Sequence, residues 1–100
     1  MISVVKRDGE IAEFSLNKIT EAIKKAFRAT GKEYNNEILE LLSLRVTSDF
    51  QSKLENGNIS VEQIQDSVEH VLEQTGYTDV AKAYILYRKQ REKIRNMKNT

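Results

Sequence analysis

Lys6-Arg7-Asp8-Gly9 is the segment of this 100-residue chain whose residue types and spacing point most directly to chemistry. Two cations follow a short run of β-branched residues and lead into an Asp-Gly turn. Such a turn exposes backbone N–H groups that cradle an anion. Lys18 stands near the start of a predicted helix, where the helix dipole also favours negative charge. A hairpin packed over that helix start brings Lys6, Arg7 and Lys18 together, and three cations there offset a triphosphate. Each close charge pair is worth about 4 kcal/mol at an effective dielectric of about 20, before desolvation is set against it. The plainer reading is a charged hairpin turn with one exposed lysine.

Other chemistry has less to stand on. His70 sits beside Glu69 and within helical reach of Glu73, and such a pair reads as a surface contact rather than a metal site or catalytic dyad. A single His gives no Ser/His/Asp arrangement. The absence of Cys excludes a disulfide scaffold, a zinc ribbon and thiol or Cys/His metal chemistry. A carboxylate metal site is not excluded by counting. The P-loop and G-x-G-x-x-G patterns are absent. Tyr77, Tyr84 and Tyr87 recur at helical spacing and read as core residues with hydroxyls at the surface, not as a base-stacking platform.

The elements that must position these groups follow from periodicity. Residues 2–6 read as a strand, Asp8-Gly9 as a tight turn, and residues 10–14 as a return strand anchored by Ile11 and Phe14. Two strands alone are marginal in water, so the hairpin must lie on helices or gain a third strand, and Ile59 is the candidate for it. Ser15 is read as an N-cap. Leu16, Ile19, Ala22, Ile23, Ala26 and Phe27 then mark one buried helical face, which Gly31 ends. A second helix is expected from Asn35 or Asn36 over roughly 18 residues, ended by Asn56-Gly57. Its apolar stripe is Ile38, Leu39, Leu41, Leu42, Val46, Phe50 and Leu54. Ser60 and Gln63 fit a capping box for a third helix lined by Ile64, Ser67, Val68, Val71 and Leu72, ended by Gly76. Thr78 is read as the cap of a fourth helix carrying Val80, Ala83, Tyr84 and Tyr87, thinning to Ile94 and Met97. The expected architecture is α+β, four helices with a hairpin or three-stranded sheet.

Composition bounds the function. The length allows one domain, taken as residues 1–95 with 96–100 a frayed tail. With 31% charged residues and no Pro, the chain favours helices over long loops. No apolar run is long enough to span a bilayer, and the N-terminus lacks a secretory pattern, so a soluble, cytoplasmic module is the expectation. The size favours binding or regulation over catalysis. The net charge of +1 is unevenly spread. Residues 51–81 carry one Lys and six acids, whereas residues 82–100 carry seven Lys/Arg and one Glu. The basic end (Lys82, Arg88, Lys89, Arg91, Lys93, Arg95, Lys98) reads as a solvated helix end suited to the negative pole of the dipole, with phosphate binding as the competing reading.

Val4-Val5-Lys6-Arg7-Asp8-Gly9, then Phe14, then Lys18-Ile19, resembles the V-x-K-R-D-G…F…K-I signature of the ATP-cone. That is the allosteric nucleotide-binding domain at the N-terminus of many ribonucleotide reductases, found also in their transcriptional repressor. Ser60 to Glu69 resembles the family's third helix, and Ala81-Lys82-Ala83-Tyr84-Ile85-Leu86-Tyr87-Arg88 its fourth. That last stretch is most similar to the anaerobic, glycyl-radical reductases. The resemblance covers residues 2 to 92.

The resemblance implies a four-helix bundle under a small β-sheet lid, binding ATP and dATP with Mg2+. It puts Val4, Lys6, Arg7 and Lys18 at nucleotide-contacting positions, with Val5 and Asp8 inside the same motif. It puts Ser60, Val61 and Gln65 facing base and ribose, and Arg88 and Lys89 where relatives place a phosphate-contacting cation. Some relatives carry His at the position of Gln65, close to the sugar, where this chain has a longer neutral group. By resemblance the cone does no chemistry itself. ATP permits the activity of a reductase catalytic core, in the same or a separate chain, and dATP stops it by changing conformation or oligomeric association. The repressor's zinc ribbon has four cysteines, and this chain has none. The alternatives are a nucleic-acid-binding module using Arg91, Lys93 and Arg95, or a helical oligomerisation module. A nucleotide sensor is expected to be indifferent to those three cations.

Overall fold

Residues 2–98 are described by the computed structural model, with side chains through residue 93. The chain begins with two three-residue strands, β1 (Ser3–Val5) and β2 (Ile11–Glu13), paired antiparallel with Val4 opposite Ala12. The turn between them is closed by its own backbone. Lys6 N–H donates to Glu10 O at 2.7 Å, and Gly9 N–H to Lys6 O at 2.9 Å. Asp8 Oδ1 accepts from Glu10 N–H at 2.9 Å, a bond that short Asp side chains make readily in turns. Gly9 has φ +88°, a conformation that a Cβ would strain.

A third strand completes the sheet, as Ile59 suggested. β3 (Asn58–Ser60) runs parallel to β1, with Ser3, Val4 and Val5 opposite Asn58, Ile59 and Ser60. The order is therefore β2-β1-β3, a mixed sheet with β1 in the centre. The four helices are α1 (Leu16–Thr30), α2 (Asn36–Asp49), α3 (Val61–Gln74) and α4 (Thr78–Lys98). α1 and α3 each pack against both α2 and α4, which closes a four-helix ring. The class is α+β, mostly helical with a small sheet.

One continuous core fills the ring. Ile19, Ile23, Ala26 and Phe27 come from α1, Leu39, Leu42 and Val46 from α2, Val68, Val71 and Leu72 from α3, and Val80, Ala81 and Tyr84 from α4. Phe27 is wholly buried and meets Tyr77 edge-on at 5.2 Å. Phe14 reaches from the end of β2 to Phe50 at 5.5 Å, an edge contact that ties the sheet to the bundle. Between α1 and α2 a polar pin replaces apolar packing. The Thr20 and Ser43 hydroxyls lie 2.8 Å apart, and Ser43 Oγ donates to Leu39 O at 2.7 Å. Ser43 is fully buried, and these bonds satisfy it.

Five details depart from the sequence expectation. Ser15 is the N-cap residue of α1 but its side chain makes no capping bond. α2 stops at Asp49 and tightens into a 3-10 turn at Phe50–Lys53, because Val46-Thr47-Ser48-Asp49 is a run of weak helix formers. Asn56-Gly57 ends no helix. With φ of +54° and +79° the pair forms a two-residue turn, and Glu55 and Asn58 exchange both backbone bonds at 2.9 Å. Leu41 is 59% exposed because it lies off the strip α2 buries, and Leu16, on the buried side of α1 but at its first position, is 37% exposed. Thr78 is the first helical residue of α4 rather than its cap. The expectations for Ile94, Met97 and a frayed end at 96–100 lie outside the described side chains.

The capping box of α3 is complete. Gln63 N–H donates to Ser60 Oγ at 3.1 Å, and Ser60 N–H donates to Gln63 Oε1 at 3.1 Å. Ser60→Ala is expected to lower unfolding stability by about 1 kcal/mol. Ser15→Ala is expected to change it by less than about 0.5 kcal/mol, since no cap bond is lost. Urea unfolding midpoints of the two variants check the contrast.

Candidate functional site

The pleat of β1 sends Val4 toward α1 and α3. There it lines a chamber of about 180 Å3 with Phe14, Ile19, Ile64, Val68 and Tyr84. The walls are mostly apolar, and Ala12 and Ala22 leave the space that larger side chains would fill. For scale, a dry cavity of about 150 Å3 accepts a benzene ring. Lys6, Lys18 and Val61 stand at the edge of this chamber. The same three residues line a second space of about 350 Å3, whose other walls are Arg7, Asp8, Glu10 and Arg91. An apolar chamber thus adjoins a cleft carrying four cations.

Gln65 occupies a distinctive position on α3. Its Oε1 is buried and has no hydrogen-bond partner among the described residues, and its side chain lines the apolar chamber. An orphan buried acceptor costs about 1–3 kcal/mol, so its retention calls for an explanation such as a ligand donor. Tyr84 faces the same chamber. Burial pushes its phenol above the ordinary value, so the hydroxyl stays protonated as a neutral donor and acceptor.

The cations differ in how they are held. Lys6 Nζ lies 3.9 Å from Glu10 on the exposed turn, a contact of little weight. Arg7 makes two short ion pairs, Nε to Glu62 at 2.8 Å and Nη1 to Glu92 at 3.0 Å. Lys18 makes no ion pair among the described residues. Arg88 Nη1 bonds both Asp66 and Glu69 at 2.9 Å. Burial disfavours its charge, but the Asp66 and Glu69 hydrogen bonds outweigh that and raise its pKa above the usual arginine value.

Of the residues read from the sequence, Val4, Lys6, Arg7, Asp8, Lys18, Val61 and Gln65 come together around the chamber and its cleft. Val5 and Ser60 do not. They line a separate space on the other side of the sheet with Lys53 and Gln63, because neighbouring strand residues face opposite ways. Arg88 and Lys89 line neither chamber nor cleft. Arg91 is a correction in the opposite sense. Read as a dispensable tail cation, it is a wall of the cleft. It stands seven residues after Tyr84, on the same face of α4, and that spacing was the available signal. His70 also differs from expectation: its ring nitrogen lies 3.8 Å from Asp49, not against Glu73. Among the described residues, no cluster of three His, Cys, Asp or Glu is placed to hold a metal ion, and no helix is long and apolar enough to cross a membrane.

Fold and site together give a helical ring under a strand lid, with an apolar chamber that adjoins a cleft of four cations. Comparison with known proteins gives the class its family. The model of the ATP cone domain matches residues 2–93, and the chain belongs to that family. ATP-cones are nucleotide-binding regulatory domains of ribonucleotide reductases. The relatives include a ribonucleoside-diphosphate reductase subunit alpha from Chlamydia pneumoniae, 42% identical over 99% of this chain and 10% of the relative. A vitamin B12-dependent ribonucleoside-diphosphate reductase from Thermoplasma acidophilum is 44% identical over 95% of this chain and 12% of its own length. An anaerobic ribonucleoside-triphosphate reductase from Haemophilus influenzae is 36% identical over 96% of this chain and 13% of its own length. The chain spans about a tenth of the length of these curated relatives.

Replacing the orphan group tests its status. Gln65→Met keeps the side chain's length and removes the unsatisfied oxygen. The ligand-free protein is expected to be unchanged or up to about 1 kcal/mol more stable in urea unfolding. A loss of similar size would mean that Oε1 has a partner in the free protein.

Proposed function

We propose that this domain is an allosteric switch that binds ATP and dATP and passes their identity to the catalytic core of a ribonucleotide reductase, in the same chain or a separate one. Residues 1–95 are the working unit, and the setting is the cytoplasm. The observation that carries the reading is the continuity of chamber and cleft through Lys6, Lys18 and Val61. An adenine ring fits the apolar chamber in chemistry, and the cations suit a triphosphate. Gln65 Oε1 is a buried acceptor, and the adenine amino group and the ribose hydroxyls are donors that complement it.

Each nucleotide-contacting residue has a separate task. Val4 and Val61 bound the base. Lys6, Arg7 and Lys18 supply charge to the phosphates, with Arg91 joining them from α4. Asp8 holds the turn by accepting from Glu10 N–H, which fixes where Lys6 and Arg7 leave β1. Val5 and Ser60 act at one remove, through the β1–β3 pairing and the α3 cap. Arg88 and Lys89 belong to the proposed phosphate set through resemblance alone, and Arg88 reaches a ligand only by leaving Asp66 and Glu69.

Mg2+ fits this site as part of the ligand. The ion usually takes one or two carboxylates and completes its shell with phosphate oxygens and water. Asp8 and Glu10 are the cleft carboxylates available for that purpose. Bound there, it would offset phosphate charge.

The domain contributes binding rather than bond-making. For ATP to permit activity and dATP to stop it, the two must favour different conformations or assemblies, because equal preference shifts nothing. The usual scale of such coupling is about 1–3 kcal/mol. A nucleotide-dependent homo-oligomer is one readout, and nucleic acid is not the expected partner.

Calorimetric titration with ATP, dATP and GTP in Mg2+, with light scattering on the same samples, tests the proposal. ATP and dATP are expected to saturate the domain and GTP to bind much more weakly. Lys6→Ala and Lys18→Ala are each expected to weaken ATP by about tenfold, the order of one charge-assisted contact. Absence of ATP and dATP binding at millimolar concentration would overturn the reading and move helical interaction ahead.

A further inference from the structure

Arg7 is not idle in the ligand-free protein. Its guanidinium is held from two sides by carboxylates on different helices, Glu62 in the first turn of α3 and Glu92 on α4. The distances, 2.8 and 3.0 Å, are those of charge-assisted hydrogen bonds. The Arg7 side chain is only 26% exposed, while Glu62 and Glu92 are 40% and 48% exposed. One arginine on the strand lid therefore fastens that lid to both helices beneath it.

We propose that Glu62 and Glu92 are affinity-setting residues, internal counter-ions that compete with a ligand's terminal phosphates for Arg7. This rests on the nucleotide reading above and extends it to residues outside the signature motif. Arg7 lines the cleft alongside Lys6, Lys18 and Arg91, so an anion there meets a guanidinium whose fork is already engaged. Each carboxylate accepts from one guanidinium nitrogen, Nε or Nη1, and phosphate oxygens are acceptors that compete for the same N–H groups.

The two carboxylates have somewhere to go. Glu62 sits at the positive end of the α3 dipole, which continues to favour its charge after Arg7 leaves. Glu92 is about half exposed and regains water. Terminal phosphates thus exchange one fastening for another, and the lid's hold on α3 and α4 becomes a function of what fills the cleft. A ligand with a single phosphate that stops at Lys6 and Lys18 leaves the fastening in place.

The test uses the full chain and four proteins: wild type, Glu62→Gln/Glu92→Gln, Arg7→Ala, and the triple variant. Each is titrated with ATP and with AMP in Mg2+, after urea unfolding establishes that it folds. The single variants Glu62→Gln and Glu92→Gln are carried alongside in case the pair unfolds. The carboxamide variant is expected to bind ATP about three- to tenfold tighter, the scale of releasing exposed ion pairs, with AMP changed less than about twofold. In the Arg7→Ala background the same two substitutions are expected to add no ATP affinity, which isolates the coupling. An unchanged ATP affinity, an equal gain for AMP, or a gain that persists without Arg7 would overturn the proposal while leaving the nucleotide reading intact. Failure of wild type and all variants to bind ATP would overturn both.

Discussion

The parallel pairing of β1 with β3 fixes almost everything that matters for the site. Val5 lies opposite Ser60, and Ser60 is the N-cap of α3. The residues after Val5 therefore leave the sheet beside the first turn of α3. That is why Arg7 reaches Glu62, and why Lys6 and Val61 share walls of both chamber and cleft. A slip of one residue would turn Val4 out of the chamber and carry Val5 into it. Three-residue strands have little ladder energy of their own. Their register is held by what surrounds them: the closed turn at Lys6–Glu10, the Asn56-Gly57 turn, and Phe14 against Phe50.

The chamber and the cleft impose opposite demands that the fold meets by separating them along β1. Apolar walls need distance from water, and cations need access to it. Val4 points inward, and the turn beyond Val5 carries the charge. The polar groups of the dry side are few and specific. Tyr84 is kept neutral by burial, and Gln65 presents an acceptor without a partner among the described residues. A row of acids on α3 (Glu62, Asp66 and Glu69) then organises the basic side. It holds Arg7 of the strand turn at one end and Arg88 of α4 further along, so two cations from distant parts of the chain meet the acids of residues 51–81.

Local signals were readable where one segment carried its own reason. The Asp8-Gly9 turn, the Gly31 stop and the Ser60–Gln63 box are each written within a few residues, and each stands in the structure. Ile59 announced its strand only because a bare hairpin needs a third. Asn56-Gly57 was ambiguous for a physical reason, since positive φ serves a helix end and a tight turn equally. Leu41 obscured the buried strip of α2, because an apolar residue on a neighbouring face broadens the stripe. The ion pairs of Arg7 and Arg88 were illegible for another reason. Their partners lie on helices whose placement depends on tertiary packing. Arg91 was hidden by composition, one cation among seven near the end of the chain.

The sheet's central pairing joins the beginning of the chain to its middle, residue 3 to residue 58 and residue 5 to residue 60. Two whole helices lie between the partners, so the pairing carries a loop-closure cost, as does the still longer-range packing of α1 on α4 that closes the ring. α1, α2 and the turn linking them need no such reach. With strands only three residues long, the lid is the natural unit of partial opening, with amide protons on β1 and β3 exchanging ahead of those in the ring. The cationic cleft lies along the seam between this lid and the ring, so a molecule filling it would close that seam from outside.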